Sequence, residues 1–196
     1  MDAKDFMIEN LQDQIVEEHP SFWHRQNIPP REKRADDTAI AFGDMMRENG
    51  LTLSIAESCT GGMLAQRLTA IPGASDYLMC GVVSYSNFSK MNILGIHEED
   101  LIKYGAVSEQ IAIKMAEKAR DIGRASMGIG ITGIAGPDGR VGDKPVGLVY
   151  IAINMSPDSK KTKSWKYNFE GSRDEVRQQA CSAALFEATR EVLYSK

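Results

Sequence analysis

Three short polar segments of this chain contain residues that could act as a nucleophile, a base and a phosphate ligand: 56–62 (AESCTGG), 84–90 (SYSNFSK) and 132–139 (TGIAGPDG). In the first, Ser58 precedes glycines that predict a turn opening a helix. Unpaired N–H groups and the positive end of the helix dipole would there stabilise an oxyanion or a phosphate. A plain helix cap made by Ser58 or Thr60 is the structural alternative.

A nucleophilic serine needs a base, and the chain offers a lysine. None of the three segments contains a histidine, which excludes a Ser-His-Asp arrangement within them. Lys90 follows the second predicted strand by one to two helical turns and could point back over the end of the sheet. If Lys90 is to act as a base near neutral pH, its pKa must fall by roughly 3 from the usual value of about 10.4. A solvated helix lysine is the common alternative.

Cys59 is a second possible nucleophile, because the same helix dipole would activate a thiolate. The three cysteines and three histidines of the chain are widely spaced. That spacing fits neither a disulfide framework nor a zinc site. We therefore expect reduced thiols, no metal and no cofactor.

A glycine-rich loop and two arginines could bind a phosphate. The backbone of Gly133, Ile134, Ala135 and Gly136 could hold the anion, although the loop could also be a simple tight connection. Arg173 and Arg177, at the start of the last predicted helix, could add forked hydrogen bonds. A solvated helix face is the alternative for this pair.

Alternating strands and helices must position these segments. Strands are predicted at 51–56, 77–85, 127–131, 146–153 and 163–169, of which the last two could form an antiparallel pair. Helices are predicted at 36–48, 62–72 and 87–94, after the N-cap Ser108, and after a capping box formed by Ser172 and Glu175. The core face of the helix after Ser108 is predicted to contain Ala112, Met115, Ala119 and Ile122. The alternation predicts an α/β domain with ligands beyond the carboxyl ends of its strands.

Composition narrows the class of protein. The 196 residues suit one domain, which we place at 36–196 behind an appendage at 1–35. A net charge of −4 and the lack of a dense basic stripe argue against direct nucleic-acid binding. No segment has the roughly 20 consecutive apolar residues of a membrane span, nor does the N-terminus resemble a signal peptide. We expect a cytoplasmic protein without membrane contact.

Five motifs in fixed order resemble the C-terminal domain of the CinA family, the nicotinamide-nucleotide amidohydrolases. They are AESCTGG at 56–62, VSYSNFSK at 83–90, GAVSE at 105–109, TGIAGPDG at 132–139 and KPVGLV at 144–149. The resemblance covers roughly residues 36–195. It implies a three-layer α/β/α sandwich with a mostly parallel or mixed sheet. It also implies metal-free hydrolysis of the carboxamide of nicotinamide mononucleotide to nicotinate mononucleotide and ammonia.

The resemblance also implies residue roles: Ser58 is the nucleophile, Lys90 its base, and Tyr85 helps to move or orient the proton. We expect Thr60 and Gly61 to stabilise the oxyanion, and Gly62 and Asn87 to contact the substrate. Two alternatives stay open: a non-catalytic nucleotide-binding module that regulates a partner, linked to competence or DNA damage, and an amidase that depends on Cys59. A homo-oligomer is expected, as for many small α/β enzymes.

Overall fold

The computed structural model describes residues 37–139, 142–155 and 162–194. Its five-stranded sheet contains β1 (Leu53–Glu57), β2 (Leu78–Val83), β3 (Met127–Gly133), β4 (Leu148–Asn154) and β5 (Lys163–Asn168), in the order β2-β1-β3-β4-β5. The first three strands are parallel, whereas β4 and β5 run antiparallel to their neighbours. The sheet is therefore mixed, and its parallel half ends at one common edge.

Helices cover both faces of this sheet. They are α1 (Asp37–Glu48), α2 (Met63–Thr69), α3 (Asn87–Asn92), α4 (Glu98–Tyr104), α5 (Glu109–Gly123) and α6 (Arg173–Tyr194). The helices α1, α2 and α6 share the larger hydrophobic core on one face, and α3, α4 and α5 cover the other face. This is the three-layer α/β/α arrangement that the sequence predicts. No helix in the described part of the chain is both long and apolar enough to span a bilayer.

Two glycines let α5 lie directly on β3. A Cβ atom at Gly128 would overlap the carbonyl oxygen of Ala116, and one at Gly130 would overlap that of Ala112. Because the backbones approach this closely, β3 is buried on both faces over Met127–Thr132. The strand that leads into the third polar segment is therefore held rigidly.

The local sequence signals account for most of the elements. Ser108 caps α5, accepting a hydrogen bond from Ile111 N (3.3 Å), and Glu175 accepts one from Ser172 N (2.7 Å) in the predicted capping box. The antiparallel pairing of the last two strands is confirmed. The prediction of Ile122 as a core residue is wrong, because its side chain in the last turn of α5 is 46% exposed.

One helix was not predicted. The helix α4 begins with three acidic residues, a favourable charge for a helix N-terminus that could have revealed it. The predicted appendage, 1–35, lies outside the described residues.

Candidate active site

The three polar segments meet at the edge where the parallel strands end. They line a cleft of about 370 Å³ together with the segment before α5. The lining residues are Ser58, Cys59, Tyr85, Lys90, Ala106, Val107, Thr132, Gly133, Ile134, Ala135, Gly136, Asp138, Gly139 and Arg173. The sheet rule therefore placed the cleft correctly.

Ser58 and Lys90 are in direct contact at the base of this cleft. The Nζ atom of Lys90 donates to Ser58 Oγ at 2.9 Å and to the carbonyl oxygen of Ser84 at 2.6 Å. A reciprocal capping box between Ser86 and Ser89 fixes the start of α3 at Asn87, three residues before the lysine. The lysine side chain points back toward the strand ends at Ser58 and Ser84, and only 1% of the residue is exposed.

Burial changes the acid–base chemistry of both groups beside Ser58. It lowers the pKa of Lys90 from the usual 10.5 to about 8, while the neighbouring Cys59 acts in the opposite direction. Burial also raises the pKa of the Cys59 thiol to about 12. Near neutral pH the site therefore contains a lysine that can lose its proton and a cysteine that keeps its own.

The carboxylate of Glu57 occupies the N-terminus of α2. It accepts hydrogen bonds from the N–H groups of Gly62 (3.1 Å), Leu64 (3.0 Å) and Ala65 (2.9 Å), and only 1% of the residue is exposed. The prediction that this helix end offers unpaired donors to an anion is wrong, because a side chain already binds them. Gly62 donates to this carboxylate and does not line the cleft.

The turn after Ser58 is closed by its own hydrogen bond. Gly61 N donates to the carbonyl oxygen of Ser58 at 3.0 Å, with Gly61 and Gly62 both at positive φ (61° and 90°). The Gly61 N–H is therefore engaged in this turn and not directed at an oxyanion, which corrects the prediction. Thr60, the other predicted oxyanion donor, is fully buried and does not line the cleft. The N–H groups of Thr60 and Cys59 both interact with the Cys59 sulfur.

The two arginines of α6 have different partners. Arg177 donates from Nε (3.1 Å) and Nη2 (2.9 Å) to the carbonyl oxygen of Thr60, and it does not line the cleft. Its prediction as a phosphate ligand is not supported, because the guanidinium holds the nucleophile turn. Asn87, the exposed first residue of α3, does not line the cleft either.

Arg173 instead crosses the mouth of the cleft. Its Nη1 donates to the carbonyl oxygen of Gly136 and its Nη2 donates to Tyr85 Oη, both at 2.7 Å. Tyr85 is 58% exposed and has this arginine as its hydrogen-bond partner, in place of Ser58 or Lys90. The structure thus places Tyr85 at the entrance, beside the charged group that could meet an anionic substrate.

All four residues of the predicted phosphate loop line the cleft. Gly133 has no room for a side chain, because a Cβ atom would lie 2.6 Å from the carbonyl oxygen of Leu148. Gly136 adopts a φ of +86° and precedes a cis peptide bond to Pro137. Its carbonyl is the one held by Arg173.

Sequence reasoning missed the wall formed by Ala106 and Val107. Thr132 Oγ1 donates to the carbonyl oxygen of Ala106 (2.7 Å), and Lys144 Nζ donates to that of Val107 (2.6 Å). The motifs at 105–109 and 144–149 were recognised, but their pairing across the fold could not be inferred from either one. Asp138 was also missed as a lining carboxylate. The described ranges contain no group of three or more histidine, cysteine, aspartate or glutamate side chains that could hold a metal ion.

Comparison with known sequences assigns this architecture to a family. The model of the CinA C-terminal domain matches residues 35–192. A CinA-like protein of Endomicrobium trichonymphae is 47% identical over 150 residues, which are 76% of this chain and 34% of the relative. A CinA-like protein of Nostoc sp. is 49% identical over 142 residues, covering 72% and 33% of the two chains. The chain spans about a third of the length of the curated relatives it matches.

Solved structures show the same fold over nearly their whole length. The competence/damage inducible protein CihA of Agrobacterium tumefaciens is 34% identical, with a TM-score of 0.75 over 85% of this chain and 98% of its own. The CinA superfamily protein of Enterobacter cloacae is 32% identical, with a TM-score of 0.76 over 87% and 96%. The chain therefore belongs to the CinA C-terminal domain family.

Proposed function

We propose that this protein is an amidohydrolase that converts nicotinamide mononucleotide to nicotinate mononucleotide and ammonia, with Ser58 as nucleophile and Lys90 as base. The observation that carries the proposal is the contact of 2.9 Å between Lys90 Nζ and Ser58 Oγ at the base of the cleft. Burial makes this lysine a usable base, because its pKa falls to about 8. The identity of the amide substrate rests on membership of the CinA family.

The reaction follows from the proton positions. The neutral Lys90 amine takes the hydroxyl proton of Ser58 while Oγ attacks the carboxamide carbon and the carbonyl π electrons move to oxygen. When the tetrahedral intermediate collapses, the C–N bond breaks and Lys90 returns its proton to the leaving nitrogen, which departs as ammonia. Water then attacks the acyl-enzyme, again losing a proton to Lys90, and Ser58 recovers that proton as the acid leaves.

The substrate charge assists this base. The pyridinium ring of nicotinamide mononucleotide is positive, so its binding beside Lys90 further favours the neutral amine. It also withdraws electrons from the carboxamide carbon. The enzyme should therefore prefer the charged nucleotide to a neutral nicotinamide analogue.

The phosphate of the substrate lies on the order of 10 Å from the carboxamide, because the ribose separates them, so it needs its own binding place. The start of α2 cannot serve, because the Glu57 carboxylate already binds its N–H groups. The loop 133–136 and Arg173 are the candidates, since both line the cleft at its mouth. Arg173→Ala should raise the KM for nicotinamide mononucleotide and leave that for nicotinamide riboside nearly unchanged. An unchanged KM for the nucleotide would remove Arg173 from the proposal.

Ammonia release from nicotinamide mononucleotide tests the proposal directly. Wild type, Ser58→Ala, Cys59→Ala and Lys90→Met are compared after treatment with a chelator. Loss of turnover in the Ser58 and Lys90 variants, with activity retained in Cys59→Ala, is the expected result. A Cys59-dependent activity is opposed by the buried thiol, whose pKa is about 12. A folded wild type that binds the nucleotide without releasing ammonia would instead favour a regulatory binding module.

A further inference from the structure

Two side chains outside the cleft hold the turn that carries Ser58. Glu57 binds the N–H groups at the start of α2, and Arg177 binds the carbonyl oxygen of Thr60 with two donors. One contact restrains the helix side of the turn and the other restrains its outer peptide. Neither Glu57 nor Arg177 lines the cleft.

These contacts decide which N–H group faces the reacting atoms. The carbonyl oxygen of Ser58 accepts from Gly61 N at 3.0 Å and is therefore turned into the loop. In a trans peptide the N–H group points away from the carbonyl of the same unit, so the Cys59 N–H points out of the loop. Cys59 lines the cleft and directly follows the nucleophile. Its N–H group interacts with its own thiol sulfur, a weak acceptor that a developing oxyanion would replace. The donor that follows a nucleophilic serine on a strand-to-helix turn is well placed to stabilise an oxyanion.

We propose that Arg177 is a positioning residue, which anchors the Thr60 carbonyl so that the Cys59 N–H stabilises the oxyanion formed when Ser58 attacks. This inference rests on the proposed function, since it concerns the same nucleophile. It assigns to Arg177 a role in transition-state geometry and removes it from phosphate binding. Arg177 is suited to this role because α6, which carries it, packs against β3, β4 and both α1 and α2.

The expected effect follows from losing that anchor. Removing an oxyanion donor from a serine enzyme lowers kcat by about 10²- to 10³-fold, and a displaced donor should cost part of this. We expect Arg177→Met, which keeps an apolar stem of similar length, to lower kcat by about 10- to 100-fold. KM should change less than about twofold. Arg177→Lys keeps the charge and one donor and should recover most of the lost rate.

The test compares two substrates and one chemical probe. Wild type, Arg177→Met and Arg177→Lys are assayed with nicotinamide mononucleotide and with nicotinamide riboside, which lacks the phosphate. Asp174→Asn is the matched control, because it removes the 3.5 Å ion pair to Arg177 and leaves the Thr60 contact in place. In parallel, a fluorophosphonate phosphonylates Ser58: Oγ bonds to phosphorus, fluoride leaves, and Lys90 takes the proton. The labelling rate is measured by mass spectrometry, and thermal unfolding verifies that each variant is folded.

An equal loss of kcat on both substrates, slower labelling of Ser58 and recovery by Arg177→Lys would support the positioning role. An increase in KM confined to the phosphorylated substrate, or unchanged kcat and labelling, would overturn it. If wild type hydrolyses neither substrate but its Ser58 labels at a rate that depends on Arg177, the proposed substrate fails and the positioning role stands. If Ser58 is not labelled in wild type, both proposals fail.

Discussion

The pH dependence of the reaction gives the most direct test of Lys90 as the base. Only its neutral amine can accept the Ser58 proton, so activity is lost as pH falls through the pKa of the folded protein. Burial sets this pKa at about 8. At pH 7 roughly a tenth of the amine is neutral, about 300-fold more than a lysine with a pKa of 10.5 would provide.

The assay is ammonia release between pH 5.5 and 9.5, with Ser58→Ala as the blank for uncatalysed loss of the amide. We expect kcat/KM to rise about tenfold per pH unit below 7, to reach half its maximum near pH 8 and then to level off. One limb is expected, because the same amine accepts the proton and returns it to the leaving nitrogen. The midpoint for kcat should lie below that for kcat/KM, since the bound pyridinium disfavours the protonated lysine.

Three results would refute this reasoning. A profile that is flat from pH 6 to 9 would mean that no group titrating in this range controls the reaction. A midpoint near pH 6 would indicate a histidine or a carboxylate as the base. Retention of activity in Lys90→Arg, whose guanidinium stays protonated, would exclude proton transfer to this side chain.

Three further predictions concern stability. Lys90→Met should stabilise the protein at pH 7 by about 1 kcal/mol, because it removes a charging cost of about 3 kcal/mol and loses two hydrogen bonds of about 1 kcal/mol each. Between about pH 8 and 10.5 Lys90 is neutral in the folded wild type but protonated in the unfolded chain, so the stability of the wild type rises with pH over that interval. The greater stability of Lys90→Met in urea unfolding should therefore disappear by about pH 10.5. Glu57→Gln should lower the free energy of unfolding by about 1–3 kcal/mol, since an amide keeps one acceptor oxygen for the start of α2; an unchanged urea midpoint would contradict the cap. Gly128→Ala should cost about 3 kcal/mol or more through its clash with α5, whereas Gly81→Ala, where the nearest atom would be 3.5 Å away, should cost much less.

The sequence predicted the features that depend on neighbouring residues. The capping box of Ser172 and Glu175 lies within a single helical turn, so its spacing alone identified the start of α6. The position of Lys90 was also accessible, because a short helix directly after a strand end returns its side chains toward the sheet. The buried contact joins two residues that are 32 positions apart in the chain, and neither segment indicates it alone.

Roles that depend on contacts between residues far apart in the sequence could not be predicted. Arg173 and Arg177 are four residues apart at the start of one helix, and the sequence predicts the same role, phosphate binding, for both. Yet the first crosses the cleft mouth to Tyr85, and the second reaches the turn after Ser58. The Glu57 cap also has no standard spacing, since its partners lie five to eight residues further along the chain. Only the close approach of the end of β1 to the start of α2 lets that carboxylate, which lies outside the helix, cap its first N–H groups.

The Glu57 cap also bears on the lysine. A substrate phosphate bound at the start of α2 would place a doubly charged anion near Lys90, and an opposite charge favours the protonated amine that cannot act as a base. The Glu57 carboxylate takes up those N–H groups itself, and its charge is shared among three of them. The shift in the pKa of Lys90 accordingly comes from burial, with only Cys59 opposing it. By excluding a phosphate from this turn, the cap keeps the pKa of Lys90 low, so that the neutral amine stays available, and it directs the anionic end of a nucleotide toward Arg173 at the mouth of the cleft.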